Sequence, residues 1–91
     1  MHYVWDPKKA ISNLKKHGVS FEEARTVLDG SDIDFSYDEI DGELRLAVVG
    51  PSSNKNVLFV IVLEIGEDVT RVISARKVTK QERVAWHKKR F

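Results

Sequence analysis

The run Val57-Leu58-Phe59-Val60-Ile61-Val62-Leu63-Glu64-Ile65 constrains the fold more than any other stretch of the chain. It is nearly all apolar and rich in β-branched side chains, which crowd a helix but suit a pleated sheet. It is also far shorter than the roughly 20 residues that a membrane-spanning helix needs. Such a segment predicts a central strand buried on both faces, so the remaining chain must supply neighbouring strands and covering helices. The 91 residues suffice for one core, and residues 1–91 are expected to form a single domain.

The flanking sequence supplies those parts. Met1 to Trp5 reads as a short first strand ending at Asp6-Pro7, a good N-cap followed by the residue best tolerated at N1. Ala10, Ile11 and Leu14 make one apolar stripe on the helix that begins there, with Lys8, Lys9, Lys15 and Lys16 on its solvated side. His17-Gly18 closes it. Ser20-Phe21-Glu22-Glu23 has capping-box spacing and starts a second helix whose Phe21, Ala24, Val27 and Leu28 face a sheet. Asp29-Gly30 ends that helix. The alternating Ile33 to Tyr37 reads as a peripheral strand, Asp38 to Gly42 as a polar turn, Leu44 to Val49 as a strand, and Gly50 to Asn54 as a loop. Val69 to Arg76 alternates again, and Thr79-Lys80-Gln81-Glu82 is another capping box that opens a C-terminal helix. The expected fold is α+β: a short N-terminal strand, two helices, a four-stranded, mostly antiparallel twisted sheet and a C-terminal helix.

Charge is arranged with a purpose that the net value of +1 conceals. From Asp29 to Glu43 there are seven acids (Asp29, Asp32, Asp34, Asp38, Glu39, Asp41, Glu43) and no lysine or arginine, a sum of −7. From Arg71 to Phe91 there are eight bases (Arg71, Arg76, Lys77, Lys80, Arg83, Lys88, Lys89, Arg90) against Glu82 alone, a sum of +7. The basic end suits phosphates and the acidic middle suits a basic partner, unless the two segments neutralise each other across the fold. There is no cysteine, so disulfides, thiolate zinc sites and thiol nucleophiles are excluded, which fits a cytoplasmic protein. No signal peptide is evident and no membrane association is expected. The three histidines lie in different elements without ligand spacing, and the glycines are isolated, so neither a metal nor a nucleotide cofactor is expected.

What remains for chemistry is a set of cations on β-structure. A general base, Glu64 or His17, beside Arg71 and Arg76 could take a ribose 2′-hydroxyl proton while the guanidinium groups steady the phosphorane charge. Lys16, Ser74, Lys77 and Lys80 would add contacts to RNA. Strict alternation sends Arg71 and Arg76 to opposite faces. Either a bulge near Ser74 unites them, or one touches RNA and the other serves the core edge or a protein partner. Arg76, at the strand end beside the amides of the next helix, is the better choice for a phosphate. Trp5 and Trp86 read as core residues with base stacking as the alternative.

Particular residues narrow this further. Trp5-Asp6-Pro7, Lys9, Asn13, the segment Lys16-His17-Gly18-Val19-Ser20-Phe21-Glu22-Glu23-Ala24, then Glu43 and Arg45, Arg71 to Lys77, Thr79 and Glu82-Arg83 together resemble the BrnT family of type II toxins. Pro51 and Leu63 depart from that pattern, the latter where an aromatic hydroxyl is expected. The resemblance implies a RelE-like fold and a metal-independent ribonuclease that blocks translation. It also implies a small ribbon-helix-helix antitoxin, BrnA-like, through which alone the pair would reach operator DNA. RNA would then meet His17, Arg45, Arg71, Arg76 and Lys77. The competing expectation is a non-catalytic nucleic-acid-binding or co-repressor module that works only inside a complex.

Overall fold

The apolar run becomes β4 (Val57–Ile65) and lies in the middle of the sheet, as its composition requires. The computed structural model describes residues 2–90. Its elements follow in the order β1 (His2–Val4), α1 (Pro7–His17), α2 (Phe21–Leu28), β2 (Asp34–Ile40), β3 (Glu43–Pro51), β4, β5 (Val69–Lys77) and α3 (Lys80–Lys88). The sheet order is β1-β5-β4-β3-β2. Every pairing is antiparallel except that of β1 with β5, so the short first strand joins the sheet and the four expected strands become five. The α+β class is as expected.

The central strand is not sealed on both faces. Leu58, Val60 and Val62 are buried under α1 and α2, in one cluster with Phe21, Ala24, Val27, Val48, Val72 and Ala75. Each large apolar side chain in that cluster contributes roughly 1.5–3 kcal/mol over its exposed state. Phe59, Ile61 and Leu63, on the other side, are only half-buried. There α3 covers one end alone, with Trp86 packed among Val57, Val78, Val49 and Phe59. Trp86 is buried, and Trp5 is half-buried against the main cluster, meeting Phe21 edge-on at 5.8 Å.

The helix signals hold at the ends of α1 and fail along its face. Asp6 accepts from the Lys8 amide at 2.9 Å, and Gly18 takes the left-handed φ of 69° while its N–H returns to the Leu14 carbonyl. Yet Ile11 and Leu14 are 61% and 51% exposed, whereas Asn13 is 7% exposed. The expected apolar stripe points outward because α1 lies along the edge of β5 and buries a polar anchor there. Asn13 Nδ2 donates to the carbonyls of Ala75 (2.8 Å) and Val19 (3.0 Å), and its Oδ1 accepts from the Ala75 amide at 3.2 Å. A single amide side chain thereby satisfies strand groups that no neighbouring strand reaches.

Two other local readings change. Ser20 caps α2 by accepting from the Glu23 amide, but the Glu23 carboxylate does not complete the box. It accepts instead from Ser52 (2.6 Å) and Asn56 (3.1 Å), fixing the turn between β3 and β4. The polar turn expected over Asp38 to Gly42 contracts to Asp41-Gly42, whose φ values of 52° and 77° make a two-residue hairpin between long strands. Gly50 is needed for contact between layers, since a Cβ there would stand 2.8 Å from Ile33 Cγ2 and 3.1 Å from Val27 Cγ1.

Candidate RNA-binding face

The position of the cations depends on one irregularity in β5. Its register with β4 runs Leu63 to Arg71 and Val62 to Val72, then shifts, so that Ile61 pairs with Ser74, Val60 with Ala75 and Phe59 with Arg76. Ile73 is the extra residue of a bulge. Val72 and Ala75 therefore both point into the core, and Arg71, Ser74 and Arg76 all lie on the opposite, half-open face. Of the two arrangements open from the sequence, the bulge is the one adopted.

Arg45 joins that face. It follows one residue before Leu46, which pairs with Val62, so it projects on the same side as Leu63 and Arg71. Arg71 and Arg45 stand on the two strands flanking β4, about 10 Å apart by strand spacing. The Arg45 guanidinium reaches Glu43 at only 3.6 Å, and its Nε is buried without a hydrogen-bond partner among the described residues. Arg71 is exposed and makes no hydrogen bond or ion pair within the described residues.

Arg76 is engaged within the fold. Its guanidinium lies over the Phe59 ring at 4.4 Å and grips Glu82 with both nitrogens, at 2.8 and 3.1 Å. Glu82 also accepts from the Thr79 amide at 2.8 Å while Thr79 Oγ1 accepts from the Glu82 amide, a complete capping box. The Arg76 bond, then the Thr79 amide, hold the Glu82 carboxyl down to about 2, and the same bond raises Arg76 above its ordinary value. The fork that would clasp a phosphate is thus already filled, and Arg76 ties β5 to α3.

The second half of the site lies where α1 crosses the bulge. Lys9, Ser12, Asn13, Lys16 and His17 line a shallow groove of about 180 Å³ with Ile73 and Ser74 as its floor. The lining holds no carboxylate. Lys9 and Ser12 were not legible as site residues, although positions 9, 12, 13, 16 and 17 follow helical spacing and could have marked one polar face of α1. The groove brings Lys16, His17 and Ser74 together.

Three expected members lie elsewhere. Glu64 pairs with Thr70 on the helix-covered side of the sheet, where it accepts from the Tyr37 hydroxyl at 2.9 Å, so it does not stand beside Arg71 and Arg76. Lys77 pairs with Leu58 and also turns to that side, where its charge acts on Glu23. Burial works to raise the Glu23 carboxyl, and bonds from Ser52, Asn56 and Asn54 together with Lys77 outweigh it, leaving the group below its ordinary value. Lys80 is exposed at the start of α3.

A helix-backed sheet with a cation-lined open face is a scaffold for anions, and comparison supplies the class. Residues 5–82 match a family model of ribonuclease toxins of type II toxin-antitoxin systems. The family is described as "Ribonuclease toxin, BrnT, of type II toxin-antitoxin system", and this chain belongs to it. The fold is similar to the crystal structure of the Brucella abortus ribonuclease toxin BrnT, with a TM-score of 0.65 at 23% identity, over 88% of this chain and 100% of that one. No curated protein matches the chain by sequence. The family's toxins are ribonucleases with an antitoxin partner. No helix among the described residues is long and apolar enough to cross a membrane.

Proposed function

We propose that this chain cleaves RNA without a metal ion by transesterification, that the cuts inhibit translation, and that a ribbon-helix-helix antitoxin neutralises it. Operator DNA is reached only through the antitoxin complex. The observation that carries this reading is the bulge at Ile73, which sets Arg71 and Ser74 on one face, with Ser74 also lining the groove that holds Lys16 and His17. His17 accepts the ribose 2′-hydroxyl proton, the 2′-oxygen attacks phosphorus, and the 5′-oxygen leaves with a proton from Lys16 or water. The products are a 2′,3′-cyclic phosphate and a 5′-hydroxyl. Arg71 supplies the positive charge that the phosphorane needs, and Arg45, Lys9 and Ser12 hold flanking phosphates. Arg76 acts by holding Phe59 and α3 in place, and Glu64 lies outside this mechanism.

The position of Glu64 favours one alternative, a non-catalytic nucleic-acid-binding or co-repressor module, since it leaves His17 as the only general base proposed at the site. A single assay separates the two readings. Toxin freed of antitoxin is incubated with single-stranded RNA in EDTA, and the fragment ends are analysed. Fragments with 2′,3′-cyclic ends that disappear in Arg71→Ala support the enzyme. Retarded but intact RNA overturns it in favour of the module.

A further inference from the structure

β2 ends the sheet, and an antiparallel edge strand leaves alternate N–H and C=O groups turned outward. Proteins usually blunt such edges with lysine, proline or a bulge. Asp34–Ile40 contains none of these; the charges it carries, Asp34, Asp38 and Glu39, are all acidic, and its register with β3 runs unbroken from Asp34 opposite Val49 to Ile40 opposite Glu43. The side chains carry a second signal. Phe35, Tyr37 and Leu44 are 65%, 55% and 60% exposed, and the register sets all three on the helix-covered side, past the end of α2. Inward of that strip, where the Tyr37 hydroxyl reaches Glu64, lies a mostly apolar hollow of about 150 Å³ bounded by Leu28, Ile33, Leu46 and Val62, with Tyr3, Glu64 and Thr70 also in its lining.

Charge identifies the occupant. Asp29, Asp32 and Asp34 are engaged by Arg25, Arg90 and Lys89, and Glu43 by Arg45, so ion pairs meet both ends of the acidic segment and leave its middle unpaired. Asp38, Glu39 and Asp41, along the outer half of the hairpin, form no ion pair among the described residues. An exposed edge that is both apolar and acidic fits an extended segment with alternating apolar and basic residues.

We propose that β2 is the docking edge for the antitoxin, which adds a lysine- or arginine-rich segment as a sixth strand. Its apolar residues cover Phe35 and Tyr37, and its cations meet Asp38 and the acids of the hairpin tip. The proposal rests on the family's antitoxin partnership and is independent of the cleavage chemistry.

Calorimetry of the purified antitoxin with wild-type toxin and with the Phe35→Lys/Asp38→Lys variant tests it, both altered side chains being exposed. The affinity is expected to fall at least about tenfold in the variant. Hydrogen exchange at the β2 amides is expected to slow when the unmodified complex forms. Unchanged affinity overturns the proposal, as do β2 amides that exchange equally fast free and bound. Protection that already exists in a dimer of free toxin assigns the edge to a second copy and overturns it too. If the variant does not fold by circular dichroism, the exchange measurement on the unmodified complex decides. RNA cleavage is not a readout, so its absence would count against the ribonuclease mechanism alone.

Discussion

Arg71 and Arg76 share a face and differ in what they are free to do. Arg76 is held by the Glu82 carboxylate and by the Phe59 ring, while Arg71 projects unpaired among the described residues. Arg71→Ala is therefore expected to lower the cleavage rate by about 10²–10³ with little change in Tm, the size of a lost transition-state contact. Arg76→Ala is expected to lower Tm as well, because it leaves Glu82 without its main partner. Parallel measurement of rate and Tm distinguishes them, and a fall in Tm for Arg71→Ala would reverse the assignment. Acid resolves the Arg76 pair directly. Glu82 titrates near 2 in the fold against an ordinary 4.5, so its contribution is complete above about pH 4.5 and is lost as pH falls toward 2. Glu82→Gln keeps capping capacity and removes the titration. Between pH 4.5 and 2 its stability should decline less steeply than that of the wild type, as read by urea unfolding at each pH. Equal slopes would mean that the pair contributes nothing to acid stability. The sequence could not reveal this pairing, because the Thr79-x-x-Glu82 spacing accounted for the glutamate and left the arginine looking free.

The elements that build the site depend on an anchor that composition disguised. Helix α1 was legible at both ends, through Asp6-Pro7 and His17-Gly18, because caps are chosen by local backbone chemistry. Its orientation was not, since Ile11 and Leu14 outweigh Asn13 on any hydrophobic scale, and only the uncovered edge of β5 explains why an amide is buried. The bulge was legible only as one of two alternatives, because alternation holds on either side of Ile73 and the phase slips only between the halves. Asn13→Ala would leave the amide and carbonyl of Ala75 and the carbonyl of Val19 without their partner. A loss of roughly 2–4 kcal/mol is expected from the unsatisfied buried groups. For a domain of this size that means a fall in Tm of at least about 10 °C. Asn13→Asp should not restore stability, because it offers acceptors to two carbonyls. Thermal unfolding of the two variants checks this, and a wild-type Tm for Asn13→Ala would remove the anchor from the account.

At the scale of the whole molecule, the fold class, the central strand and the family were all legible, since each follows from patterns spread over many residues. The face on which each cation lies was not, because it turns on one inserted residue. That arrangement has a measurable consequence. A net charge of +1 spread evenly would give weak attraction to RNA and little dependence on salt. Here Lys9, Lys16 and His17 line the α1 groove, and Arg71 and Arg45 continue onto the open face, while three acids without an ion pair among the described residues, Asp38, Glu39 and Asp41, lie together on the β2 hairpin. If three or four of these cations displace counterions from a single strand, the logarithm of affinity should fall with the logarithm of salt with a slope of about −2 to −3. The double variant Lys16→Ala/Arg71→Ala should flatten that slope by about 1.4, at 0.7 for each phosphate released. Lys77→Ala, on the other side of the sheet, should leave it unchanged. Fluorescence anisotropy with a non-cleavable 2′-deoxy oligonucleotide across a salt series reads all three slopes. If Lys77→Ala flattened the slope as much as the double variant does, RNA would be tracking the helix-covered side of the sheet, and the bulge at Ile73 would have no part in recognition.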